Sequence, residues 1–133
     1  MNFQQTSKIC LILFFYFCLT INAFSIQPEI FVQSTVNRAS ESLSDKFTRL
    51  EKINKLRSIA EETVDIKGIG FYTLGSHRKN LSDSQKEQYS VIFKEYFLKT
   101  FADRLAEYSN PEVRVEASNK LNENYTIVSS ILV

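Results

Sequence analysis

The side chains able to do chemistry are few and scattered. Beyond residue 25 the chain has one imidazole, His77, and no thiol, because Cys10 and Cys18 both precede that point. A structural zinc site needs four Cys, His or acidic ligands, and no cluster here is spaced to supply them, so neither a metal nor a cofactor is expected. Nucleophilic catalysis would need a serine on a sharp strand-to-helix turn beside His77; no serine stands in that pattern, and no catalytic residue is assigned. Glu61 and Glu62 are neighbours in a helical stretch, where adjacent side chains do not face each other, so they read as solvated charges rather than an acid/base pair. Gly68-Ile69-Gly70 is a partial match to a nucleotide-binding loop, but it lacks a preceding strand and a third glycine. Ser76-His77-Arg78-Lys79 is a small basic cluster. It reads as favourable charge at a helix C-terminus followed by a solvated loop, with contact to a phosphate or a partner protein as the functional alternative. Asn80-Leu81-Ser82 and Asn124-Tyr125-Thr126 are glycosylation sequons, which matter only in a eukaryotic source. What remains is non-covalent binding, which directs attention to the elements that could build a binding surface.

The first 25 residues read as a secretory signal peptide. Lys8 precedes an apolar run from Ile9 to Ile21, and Ala23-Phe24-Ser25 offers a small-x-small exit before Ile26. The run is shorter than the roughly 20 apolar residues that a spanning helix needs. Residues 26–133 are therefore read as the mature domain. Lys8 is the only charge in the leader, so 15 basic and 15 acidic residues remain beyond it and balance to zero. An uncharged balance with no basic tract argues against nucleic acid as a partner. An exported chain without cysteine fits a bacterial periplasm better than an animal extracellular space.

Apolar periodicity then predicts helices. Pro28 and Glu29 suit a first turn, and Phe31, Val32, Val36, Ala39 and Leu43 follow at helical spacing, giving a helix over about 28–42. Phe47, Leu50, Ile53, Leu56, Ile59 and Ala60 make a second amphipathic pattern to about Thr63. Asp65 is a candidate N-cap for a short helix from Ile66 to Leu74 that Gly75 stops. Gly68 and Gly70 weaken it, which close packing would explain. Ser82 with Gln85 is a capping box. It opens a helix of about 26 residues and about 39 Å, in which Tyr89, Ile92, Phe93, Tyr96, Phe97, Thr100, Phe101, Leu105 and Tyr108 recur every three or four positions until Asn110-Pro111. Val113, Val115 and Ala117 alternate with charged residues as one strand, Asn119 to Asn124 form a polar turn, and Tyr125 to Val133 read as a second strand. The fold class is α+β, with helices on a small antiparallel sheet that looks incomplete. The aromatic stripe is explained as core against that sheet, or as one wall of a cavity for an apolar molecule.

From Asp65 to Val115 the chain resembles the MlaC family, the toluene-tolerance group of periplasmic phospholipid-binding proteins. The residues that carry the resemblance are Phe71-Tyr72-Thr73-Leu74-Gly75 with Arg78, Ser82-x-x-Gln85 with Tyr89, Phe93 and Phe97, and Thr100-Phe101-Ala102-Asp103-Arg104-Leu105-Ala106-Glu107-Tyr108 before a Val-x-Val strand. The resemblance implies an NTF2-like cone and a periplasmic carrier without enzymatic activity. Such a carrier shuttles phospholipid between an outer-membrane lipoprotein complex and an inner-membrane ABC transporter. It also implies that Phe71, Leu74, Phe93, Phe97, Phe101 and Val115 line or back the cavity for the lipid tails. Ser76-His77 replaces an aromatic pair common in the family, and the family's further strands are expected to be missing, which would make this a truncated copy or a remnant. A periplasmic protein-interaction module without bound lipid is the alternative. A small isomerase-like enzyme that uses His77 is a third.

Overall fold

The computed structural model describes residues 26–133; the expected signal peptide lies outside the described residues. Helix α1 spans Pro28–Ser42, α2 Arg49–Thr63, α3 Ile66–Thr73 and α4 Asp83–Leu105, with a 3-10 segment at Gly75–Asn80. Strands β1, Val113–Lys120, and β2, Thr126–Leu132, pair antiparallel, which gives the expected α+β class.

Each helix starts where its sequence provides partners for the free N–H groups of the first turn. Pro28 opens α1 with Glu29 beside it. Thr48 and Glu51 form a capping box at the start of α2: the Thr48 N–H donates to the Glu51 carboxylate at 2.8 Å, and the Glu51 N–H donates to the Thr48 hydroxyl at 3.3 Å. That box sets the start of α2 at Arg49 rather than at Phe47. The Asp65 carboxylate accepts the Gly68 N–H at 2.9 Å. Ser82 and Gln85 close the expected box on α4, which runs 23 residues, somewhat short of the span read from its periodicity. Gly75 ends α3 at φ +55°, a conformation that suits glycine.

The core is the seam between α2 and α4. Leu56, Ala60, Leu98, Ala102 and Ala106 are buried there with Leu43 and Ile66. On α4 and its C-cap this row is Leu98, Ala102 and Ala106, not the aromatics. Three residues of the stripe each precede a seam residue by one position (Phe97 and Leu98, Phe101 and Ala102, Leu105 and Ala106), so they lie about 100° round the helix. Small side chains let the helices approach closely, and the rings are left on the flank. Helix α4 consequently rests on α2 and α3 rather than on the sheet, and Ile92 and Tyr96 are 69% and 65% exposed. Leu50 and Phe31, also expected inward, are exposed as well.

Gly70 shows the close packing anticipated for α3. A Cβ there would fall 2.7 Å from the Phe93 ring. Gly68 answers a different need, because a Cβ would strike the capping carboxylate of Asp65.

The sheet packs on α1. A β-bulge interrupts its register between Val115, opposite Ser130, and Ser118, opposite Val128. The extra residue reverses the inward phase of β1. Val113 and Val115 are half-buried as expected, but Ala117 is exposed and Ser118 turns inward instead, where its hydroxyl donates to Glu29 of α1. The turn is tighter than the Asn119–Asn124 stretch expected, with the Asn122 side chain accepting from the N–H groups of Asn124 and Tyr125 at 2.8 and 3.0 Å.

Ion pairs fix the helices laterally. Arg38 on α1 grips Glu62 with both guanidinium nitrogens, at 2.8 and 2.6 Å. Lys94 on α4 meets Glu61 at 2.8 Å, and Arg57 meets Glu95 at 3.0 Å. Glu61 and Glu62 thus diverge towards different helices. Hydrogen bonding to Lys94 and to Arg38 respectively holds both carboxyls below the usual glutamate range.

Two outcomes follow for stability. Leu98→Ala removes a side chain with no exposure and should cost about 2–5 kcal/mol in urea unfolding, whereas Leu50→Ala should stay within about 0.5 kcal/mol; equal losses would contradict the seam. A glutamate whose folded pKa is lowered contributes stability above its unfolded pKa and loses it as the pH falls through the folded value. Glu62→Gln should therefore melt below the wild type near neutral pH, and the gap should close as the pH falls through and below the ordinary glutamate range.

Candidate functional site

The half-buried flank of α4 is an aromatic ladder. Tyr89, Phe93, Phe97 and Phe101 stand four residues apart, and their rings stack in series with centroids 5.7, 6.2 and 5.5 Å apart. Phe93, Phe97 and Phe101 pack against the Ala60, Ile66 and Leu98 cluster and leave their other faces open. The Tyr89 end is fixed by a hydroxyl pair. Thr73 donates its hydroxyl proton to the Gly70 carbonyl at 2.7 Å, so at 2.9 Å it accepts from the Tyr89 O–H. The ladder is thereby tied to α3.

Two apolar recesses continue from the ladder towards the C-terminal end of α4. The first is a groove of about 310 Å³ lined by Tyr96, Phe97, Thr100, Phe101, Arg104 and Leu105. The second is a cleft of about 210 Å³ where α4 reaches α1 and the strands, with Val36, Ala39, Leu43, Tyr108, Val113 and Leu132 in its walls. Leu105 lines both, so the two recesses adjoin at that side chain and together make an interrupted apolar strip. The groove is at the lower end of the roughly 300–1,000 Å³ typical of a ligand pocket, and the cleft falls below it. The strip is an open channel rather than a closed cavity, suited to a narrow apolar chain and not to a compact polar substrate. Arg104 supplies a cation at its rim.

The wall beyond Tyr108 is positioned by Asp45 in the α1–α2 connection. Its carboxylate accepts from the Ser109 hydroxyl and from the Asn110 amide, the latter at 2.6 Å, and Lys52 lies 3.8 Å away with its side chain buried. These contacts, with the Ser109 bond foremost, hold the Asp45 carboxyl below its usual range. The Asn110 N–H also reaches the Leu43 carbonyl at 3.3 Å. The positive φ of Asn110, 46°, is the bend these bonds require.

Of the six residues expected to form a tail cavity, Phe93, Phe97 and Phe101 come together in the ladder. Phe71 and Leu74 are half-buried on and just after α3, with the Lys67 ammonium 5.8 Å from the Phe71 ring. Val115 does not join them. It faces α1, in a broad cleft with Glu29, Ile30, Gln33 and Arg38, because the long helix lies on α2 and α3 while the sheet lies on α1. Leu105 and Tyr108 belong to the stripe read as a possible cavity wall but not to those six residues, and Val113 and Leu132 belong to neither. The stripe spacing that placed Leu105 after Phe101 was the available signal.

No helix among the described residues is long and apolar enough to cross a membrane. Among the same residues, no three His, Cys, Asp or Glu side chains converge to hold a metal ion.

Comparison with known proteins adds three findings. A family model described as "MlaC protein" matches residues 32–133. The chain is 26% identical to the "Intermembrane phospholipid transport system binding protein MlaC" of Haemophilus influenzae over 93% of its own length, and spans 62% of the length of that relative. No solved structure matches.

Proposed function

We propose, from the premise that this chain belongs to the MlaC family, that it is an exported phospholipid-binding protein without covalent chemistry. Residues 1–25 act as a signal peptide that is removed, and residues 26–133 form the MlaC-like domain that works in the periplasm. There it receives and passes on lipid between an outer-membrane lipoprotein complex and an inner-membrane ABC transporter.

The observation that carries this reading is the apolar strip along α4. A folded helix that leaves stacked rings half open and Ile92 and Tyr96 exposed presents apolar surface that an acyl chain can remove from water. The gain is about 25 cal/mol for each Å² buried. The strip is open and lined mainly by apolar side chains, as an acyl chain requires, and Arg104 at its rim places a positive charge where a phosphate headgroup would emerge. Phe93, Phe97, Phe101, Leu105 and Tyr96 are the contacts proposed for the tail. Phe71 and Leu74 support the ladder through α3, and Val115 lies outside the tail path.

The test is direct. The full chain is expressed with export, purified from the periplasmic fraction, and its N-terminus and organic extract are read by mass spectrometry. A mature start at Ile26 and co-extracted phospholipid are expected. Tyr96→Asp changes an exposed side chain and should leave the melting curve unchanged. It places a charge in the groove and should reduce the retained lipid roughly tenfold. Folded protein that carries no phospholipid and instead brings down a partner protein would replace this reading with that of an interaction module.

A further inference from the structure

One end of the molecule carries a composition unlike the rest. From Ile66 to Ser82 there is no acidic residue, which makes these 17 residues the longest acid-free stretch beyond the leader, and they include Lys67, His77, Arg78 and Lys79. The stretch comprises α3 and the 3-10 segment packed against it. Helix α3 turns Ile66 and Gly70 inward against α4 and leaves Ile69 40% and Tyr72 86% exposed on its other side. Gly75 bends the chain directly into Gly75–Asn80, every residue of which is exposed.

The acidic groups at the border are already engaged. Asp65 caps α3, Asp83 pairs with Lys86 at 3.2 Å, and Glu87 pairs with Lys67 at 3.6 Å. Arg78 and Lys79 make no ion pair among the described residues. The mature chain as a whole is balanced in charge, so these two cations give the surface a local positive excess beside two exposed apolar side chains.

We propose that the outer side of α3 and the 3-10 segment dock on an anionic phospholipid bilayer. Tyrosine suits this position because its ring is apolar and its hydroxyl remains wet, which favours the headgroup level of a membrane. Ile69 adds a second apolar contact, and Arg78 and Lys79 lie one short segment away to meet lipid phosphates. The helix is too short to span and lies on the surface. The proposal does not rest on the apolar strip of α4, whose lining begins at Tyr96 and continues towards the opposite end of that helix.

The experiment is sedimentation of the purified protein with vesicles of phosphatidylcholine, alone or with about 30 mol% phosphatidylglycerol. Binding to the anionic vesicles alone is expected, weakening as salt is raised. Each basic residue close to an anionic surface contributes about fivefold to partitioning, so the double variant Arg78→Gln, Lys79→Gln should bind about 25-fold less. Tyr72→Ser should bind several-fold less at unchanged charge. All three positions are exposed, and the melting curves should coincide with that of the wild type. Equal partitioning of wild type and double variant, equal binding to neutral vesicles, or no binding would overturn the proposal. Phospholipid retained through purification is measured on the same samples. A protein that retains lipid but ignores vesicles refutes this docking surface alone; one that docks but retains none refutes the groove alone.

Discussion

Close approach of α2 and α4 is the constraint from which the other features follow. Leu98, Ala102 and Ala106 meet Leu56, Ala60 and Leu43 in a seam that excludes water. A seam built around alanine has no room for phenylalanine. The rings of Phe93, Phe97 and Phe101 must therefore occupy the flank about 100° round the helix, where one side has protein to pack on and the other has none. A stable helix pair and an unsatisfied apolar face are thus the same arrangement seen from two sides. Cation–carboxylate pairs such as Lys94 with Glu61 and Arg57 with Glu95 join the two helices and are exposed enough to contribute modestly. They set lateral alignment more than they set stability.

The short connections adapt the remaining elements to that pair. Asp45 collects hydrogen bonds from Ser109 and Asn110 and lies near the buried ammonium of Lys52. This joins the α1–α2 connection to the segment that leaves α4, and the apolar strip continues past Leu105 into a cleft rather than ending in solvent. At the other end of the sheet the bulge in β1 turns Ser118 towards Glu29 and so anchors the strands to α1. Gly70 performs the equivalent task for α3, since only a missing Cβ lets its backbone sit on the Phe93 ring. Small or polar residues serve several of these meeting points, and the aromatic rings of α4 are kept at the margin of the seam.

That choice explains what could be read from the sequence. Capping signals are local, so Asp65, Ser82 and Gly75 marked their boundaries correctly; the Thr48 and Glu51 box was equally visible but masked by the apolar Phe47 just before it. Periodicity identified α4 as amphipathic but not its inward direction. Hydropathy ranks phenylalanine above alanine, whereas helix-to-helix distance favours alanine, and that distance is a tertiary quantity. The same limit applies to Val115. A strand's alternation shows that Val113 and Val115 share a face, but not that the face meets α1 instead of the aromatic ladder. Ala117 was misplaced because a bulge leaves no mark in a pattern of alternating residues. The family's motif residues were legible because they concentrate in α3 and α4, the part of the chain with the most distinctive composition.

The central claim is that an acyl chain lies along the outer side of the Phe97 and Phe101 rings. The chain contains no tryptophan, so Phe97→Trp gives a single fluorescent reporter in the ladder and Leu50→Trp gives one at an exposed position of α2 that lines neither recess. Phospholipid brominated along its acyl chains quenches indole emission on contact. The account predicts saturable quenching for Phe97→Trp and little for Leu50→Trp, both in protein that melts cooperatively. Equal quenching at the two positions, or none at Phe97→Trp with lipid bound, would contradict it.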